Sequence, residues 1–152
     1  MKRSLNPKKF FTEEENKILV EAIKKAEKET SGEIRVHLDN YCFGNPYKKA
    51  VSIFNKIGMY KTASRNGILI YLSVSSKKFA LIGDKGIHEK VPDNYWDQTT
   101  EKMQNFFIRG EFVEGLKAGI LEAGARLKEF FPYKGPEDIN ELSDEISVAP
   151  DK

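Results

Sequence analysis

Glu33, Asn66 and Asp84 carry side-chain oxygens, and each stands where an apolar run begins or ends. Two carboxylates, an amide oxygen and glycine-rich backbone suit a hard divalent cation, Ca²⁺ or Mg²⁺, which takes oxygen ligands. Arg65 and Lys85 flank the same positions, and Gly67, Gly83 and Gly86 leave backbone N–H groups open beside them. Such a set can hold a phosphate or another anion. Together these are the parts of a metal-assisted phosphoryl site in which metal-bound water attacks. His88 follows "GDKGI" closely enough to reach the same place. No residue stands out as a general base, so the catalytic residue is unassigned. The same glycines also suit turns alone, and Asp84 can bond within its own loop.

These residues meet only if the fold brings three segments to one edge. "RNGILIYLSVSSKKFALIGDKG", residues 65–86, holds two apolar runs, about 67–74 and 78–83, joined by Ser75-Ser76. Near-continuous apolar runs are expected of central strands covered on both faces. So short a link makes the pair antiparallel, and matching Val74 to Lys77 puts Gly67 opposite Asp84 and Asn66 opposite Lys85. "EIRVHL", 33–38, alternates as a strand. A helix from Pro46 to about Ile57, with Ala50, Val51, Phe54 and Ile57 on its apolar face, then connects it to the hairpin. That crossover makes the 33–38 strand parallel to its neighbour. Ser31-Gly32-Glu33, Arg65-Asn66-Gly67 and Gly83-Asp84-Lys85-Gly86 should therefore converge. The opposite edge gathers Asp39, Asn40 and Tyr41 with Ser75 and Ser76. Open α/β sheets often bind ligands there, although a turn explains these residues better. His37 is expected to be packed rather than to act as a ligand.

The remaining elements follow from caps and periodicity. Thr12 and Glu15 form a capping box for a helix to about Thr30, with Ile18, Leu19, Ala22, Ile23 and Ala26 on one face. Asp93 or Asn94 is expected to cap a helix through Arg109 that turns Trp96, Met103, Phe106 and Phe107 inward. A last helix covers roughly 112–131, and Gly115, Gly119 and Gly124 let it sit close to the sheet. The order helix–strand–helix–strand–strand–helix–helix predicts an α/β fold, a three-layer α/β/α sandwich with a small mixed sheet. A single domain, 1–135, precedes an acidic, flexible tail, 136–152.

Composition narrows the function. A chain of 152 residues with 39% apolar content can bury one real core. Net charge is only +2, but residues 1–90 carry 18 Lys/Arg against 10 Asp/Glu, and residues 91–152 carry 7 against 13. Basic residues are not interleaved with exposed aromatics, so nucleic acid is not an expected partner. A lone Cys42 forms no internal disulfide and excludes a Cys-rich zinc module. The opening "MKRSLNPKKFFTEEEN" lacks the apolar core of a signal peptide, and no run is long enough to span a membrane. A cytoplasmic location is the expectation.

"RNGILIYLSVSSKKFALIGDKGI", a Trp-containing helix and "FIRGEFVEGLKAGILEAGARL" resemble, in that order, the TPM domain family over about Phe10 to Pro132. The resemblance implies an α/β/α sandwich, divalent-cation binding and, in some members, modest phosphatase activity. Asn66 and Gly67 match its N-G motif, and Gly83, Asp84 and Gly86 match its later loop. Glu33 rests on topology alone. Arg65 replaces the acidic or amide residue that often precedes N-G, which weakens a cation site and adds a phosphate contact. The expected function is a cation-binding TPM domain with weak metal-dependent phosphatase activity on phosphate esters or nucleotides. The alternative is a non-catalytic, cation-stabilised module that binds a protein partner.

Overall fold

The computed structural model describes residues 3–135 and 141–149. A short 3-10 turn, Pro7–Lys9, leads into helix α1, Glu13–Glu27. Thr12 and Glu15 form the expected capping box, and Arg3 grips the Glu15 carboxylate through two bonds of 2.6 and 2.7 Å. Leu19, Ala22, Ile23 and Ala26 are buried, whereas Ile18 is exposed. At 100° per residue, Ile18 sits roughly 90° from the centre of that stripe.

Strand β1, Glu33–Asp39, is followed by α2, Pro46–Lys56, whose N-terminus is capped by Asn45. Ala50, Ile53 and Phe54 face inward, and Val51, expected among them, is half-exposed for the same angular reason. Strands β2, Gly67–Ser73, and β3, Lys78–Gly83, form the hairpin. Beyond it come a single turn, α3, Lys85–His88, then α4, Asp97–Ile108, and α5, Phe112–Leu127. Helix α4 starts later than Asp93 or Asn94 because Pro92 and Asn94 accept turn bonds from Tyr95 and Asp97. Trp96 takes the cap position, and Phe106 and Phe107 are only half-buried.

The sheet order is β3-β2-β1-β4, where β4 is Ser147–Val148. β1 runs parallel to both β2 and β4, and β3 is antiparallel to β2. Part of the acidic C-terminal segment thus lies along β1 as a fourth strand; 136–140 and 150–152 fall outside the described residues. Ile34, Val36, Leu38, Ile68, Ile70 and Leu72 face the large core under α1, α4 and α5. Leu69, Tyr71 and Ala80 face a smaller one under α2. This is the expected mixed sheet between two helical layers.

The glycines of α5 serve helices, not the sheet. A Cβ on Gly115 would lie 2.4 Å from the Phe107 ring, and one on Gly119 would lie 2.5 Å from Met103 Sδ. On Gly124 it would meet the Ala26 carbonyl at 2.8 Å. They let α4 and α1 approach α5 closely. Among the described residues no helix is long and apolar enough to cross a membrane.

Candidate functional site

The predicted register is the observed one. Ile68 pairs with Gly83, which puts Gly67 opposite Asp84, and the Asp84 N–H donates to Gly67 O at 2.9 Å. Glu33 pairs with Gly67, and its N–H reaches Asn66 O at 3.3 Å. The three segments therefore meet at one edge, tied further by Gly86 N–H to Arg65 O at 2.8 Å. Only glycine fits at 86, because a Cβ there would fall 2.2 Å from Ser64 O. Arg65 takes a left-handed backbone, φ 50°, at the turn that presents this carbonyl.

Convergence of backbone does not make one ligand shell. Asp84, 5% exposed, accepts from Arg65 Nε at 2.8 Å and from Arg65 Nη2 at 2.9 Å. Its Oδ1 also takes the Lys85 N–H at 2.7 Å, capping α3. The hydrogen bond to Asp84 raises the Arg65 guanidinium above its ordinary value. A bidentate fork of this kind occupies both carboxylate oxygens.

Glu33 lies two strands from Asp84, about 10 Å across the sheet by ordinary strand spacing. Its Oε1 accepts the backbone N–H of Leu142 at 2.9 Å and that of Glu141. Burial pushes its carboxyl up to about 7, against the lowering effect of those two amides. Asn66, 1% exposed, donates to Ser31 O at 3.3 Å, and its Oδ1 is buried with no hydrogen-bond partner. Among the described residues no three His, Cys, Asp or Glu side chains are grouped to hold a metal. As arranged, Asp84 neutralised by Arg65 and Glu33 spent on backbone amides do not fit a divalent cation.

The second group of predicted residues shares a real concavity. Arg65, Gly83, Asp84, Lys85 and His88 line a groove of about 460 Å³ beside Leu81 and Ile82 of β3. Tyr47 and Val51 of α2 form one wall, and Asp93, Trp96 and Asp97 form the other. Asn66, Gly67 and Gly86 lie in the framework behind it.

Sequence reasoning overlooked a second concavity of about 370 Å³, lined by Glu27, Glu33 and Asp144 with Thr30 and Ser31. Glu27 accepts from Ile34 N at 3.0 Å, and burial with a hydrogen bond to Asp144 pushes its carboxyl up to about 10. Its signal was position: Glu27 follows Ile23 by four residues on the buried stripe of α1.

The opposite edge is a stitched turn. Asp39 accepts the Asn40 N–H at 2.8 Å and the Tyr71 hydroxyl at 2.9 Å, with Lys49 at 3.8 Å. Ser75 donates to Asn40 Oδ1 at 2.5 Å, Ser76 accepts the Cys42 N–H at 2.9 Å, and Tyr41 stacks on exposed Phe43. His37 is packed, its Nδ1 2.8 Å from Ser147 Oγ, and burial pushes it down to about 4.

Residues 5–126 match the TPM domain family. Among solved structures the chain is similar to the BA42 protein from the psychrophilic bacterium Bizionia argentinensis, known by NMR. The two share 44% identity and a TM-score of 0.86, over 93% of this chain and 97% of that one. The N-terminal domain of a P. gingivalis protein, at 16% identity and a TM-score of 0.64, shares the fold over 81% of this chain and 80% of that one. No match was found among curated proteins. With most of its length matched, and with the N-G strand and the G-D-x-G loop joined as the motifs required, the chain belongs to the TPM domain family.

Proposed function

We propose that this TPM domain is a binding module for a protein partner, with the groove at the hairpin end as its working surface. The observation that carries this reading is the Arg65–Asp84 fork. It removes from ligand duty the carboxylate at the hairpin end of the groove, and it does so beside apolar walls. Tyr47 and Val51 are 52% and 50% exposed on one side, and Trp96 is half-buried on the other. Apolar walls with a few polar groups are the usual make-up of a binding cleft.

The cation-dependent phosphatase reading keeps one specific support, the buried and unpartnered Asn66 Oδ1. A Ca²⁺ or Mg²⁺ ion held there would need Arg65 turned away from Asp84, and a phosphate ester would meet Arg65, Lys85 and His88. Hydrolysis of a phosphate monoester in the presence of Mg²⁺, measured for wild type and Asp84→Ala, separates the two. A binding module gives background rates for both proteins. Turnover in wild type that disappears in Asp84→Ala would show an enzyme instead.

A further inference from the structure

The layer of the sandwich built on α2 carries one sign of charge. Between Asp39 and Asp84 the sequence holds six lysines and Arg65, and not one acidic residue. Arg65 is taken by Asp84, and the buried Asp39 is enclosed by Tyr71, Asn40 and Lys49. Lys48 and Lys56 are exposed on α2, and Lys77 is exposed in the turn between β2 and β3. None of these three is ion-paired among the described residues. A surface lined by one sign of charge draws in an opposite one.

Aromatic rings stand at the end of the same layer. On the loop from β1 into α2, Phe43 is 90% exposed and Tyr41 is more than half exposed. The loop is pinned, so this exposure is built in. Cys42 between them is buried, and its N–H donates to Ser76 Oγ at 2.9 Å. Lys78 Nζ, from β3, donates to Cys42 O at 3.2 Å and to Gly44 O at 2.9 Å. In extended chain a residue turned inward sends its two neighbours out. Tyr41 stacks on Phe43 with ring centroids 5.8 Å apart and planes 14° apart. Apolar surface held in water beside unpaired lysines marks a contact surface rather than a core that failed to close.

We propose that the β1–α2 loop and the basic residues beside it dock on an anionic lipid surface. Phe43 and Tyr41 enter the boundary between headgroups and acyl chains, where aromatic rings are favoured. Lys48 and Lys77 stay at headgroup level and meet the anionic groups there. Single-stranded nucleic acid is the other polyanion such a surface attracts, and two observations disfavour it. Single-strand sites stack bases on open ring faces along a groove, whereas Tyr41 and Phe43 cover one face of each other on a protruding loop. Apart from the paired Arg65, the exposed cations of this layer are lysines. Lysine is a point charge suited to a diffuse anionic surface, without the planar fork that arginine offers a phosphate. The surface lies beyond the groove and does not depend on it, since Tyr41, Phe43, Lys48 and Lys77 do not line it.

The test is co-sedimentation of the full chain with vesicles of phosphatidylcholine alone and of phosphatidylcholine mixed with phosphatidylserine, at low and at high salt. A labelled oligothymidylate is titrated in parallel. The expected result is binding to the phosphatidylserine vesicles alone, weakened by salt. Phe43→Ser should reduce that binding about tenfold, and Lys48→Gln about fivefold. Both side chains are exposed, so the variants fold, and an unchanged circular dichroism spectrum checks it. Binding that Lys48→Gln weakens and Phe43→Ser leaves unchanged would overturn insertion of the loop. Equal binding to phosphatidylcholine alone would overturn the role of charge. Saturable, Phe43-dependent binding of the oligothymidylate, without vesicle binding, would give the face to nucleic acid and overturn the lipid assignment. Binding to neither would overturn the docking face itself.

Discussion

Arg65 and Asp84, nineteen residues apart in the chain, form a two-pronged ion pair with Nε–Oδ2 at 2.8 Å and Nη2–Oδ1 at 2.9 Å. The hairpin register brings them together, and the left-handed turn at Arg65 lets the side chain fold back over the end of β3. The aspartate so held is also the cap of α3. It therefore positions backbone and sets the charge of the groove at once.

Asp84 variants should separate those two roles. Asp84→Asn retains an oxygen for the Lys85 N–H but loses the charge facing Arg65, whereas Asp84→Ala loses both. The expected order of stability is wild type, Asn, Ala, with the missing cap in Ala costing about 1 kcal/mol. Urea unfolding measures it, and equal stabilities for the two variants would contradict the capping role.

Glu33 and His37, on the same face of β1, should give stability opposite slopes with pH. The Glu33 carboxyl is raised from 4.5 to about 7, so the folded state holds its proton more tightly than the unfolded chain. Its contribution is complete below 4.5 and is lost as pH rises through 7. His37 is lowered from 6.5 to about 4, so its contribution is complete above 6.5 and is lost as pH falls through 4. Thermal unfolding across pH 4–8 should show Glu33→Gln reducing the loss on the alkaline side, where the part due to Glu27, raised to about 10, persists, while the acid-side loss is unchanged. An unchanged profile would contradict the burial of Glu33 beneath residues 141 and 142.

How much of this was legible in the sequence depends on what each residue had to signal. The hairpin register was readable because a two-residue link and two unbroken apolar runs permit few pairings, and Gly67 did fall opposite Asp84. The convergence of Glu33 with it followed from one crossover. What the side chains then do was not readable from spacing. Glu33 turns to the amides of Glu141 and Leu142, a contact across more than one hundred residues made by a segment with no periodic pattern. A two-residue strand such as β4 leaves no such pattern either. Asp93 and Asn94 have capping chemistry, yet Pro92 and Asn94 spend their carbonyls on turns and α4 begins at Asp97. Ile18 and Val51 were counted as inward because they neighbour buried residues, although the angle per residue puts them to the side.

The α5 glycines should differ in what they tolerate. An added Cβ at Gly119 meets the flexible end of Met103, which can move aside, and alanine favours the helix. At Gly124 it meets the Ala26 carbonyl and Cα at 2.8 and 3.0 Å, which cannot move without shifting α1. Gly124→Ala should lose about 2 kcal/mol and Gly119→Ala clearly less. Chemical denaturation checks the ranking, and a reversed order would contradict close α1–α5 packing as the reason for Gly124.

Arg35 offers a gain. It is half-buried on β1 with Nε unpartnered, no acid is ion-paired with it among the described residues, and burial lowers its pKa. Replacing a desolvated charge that has no counter-ion by an apolar side chain of similar length removes a cost. Arg35→Met should stabilise the fold by about 1 kcal/mol. A loss of stability on the same scale would show that the guanidinium has a partner in solution.

The central claim is that Arg65 holds Asp84 and thereby keeps the groove from being a cation site. Titrating Ca²⁺ and Mg²⁺ into wild type and Arg65→Ala, with amide shifts followed by NMR, tests it most directly. Wild type should show no saturable shifts at 65–67 or 83–88 up to about 10 mM, beyond the range of weak protein calcium sites. Arg65→Ala should gain them, centred on Asp84. Saturable shifts at those residues in wild type, with an affinity that Arg65→Ala does not improve, would contradict the account.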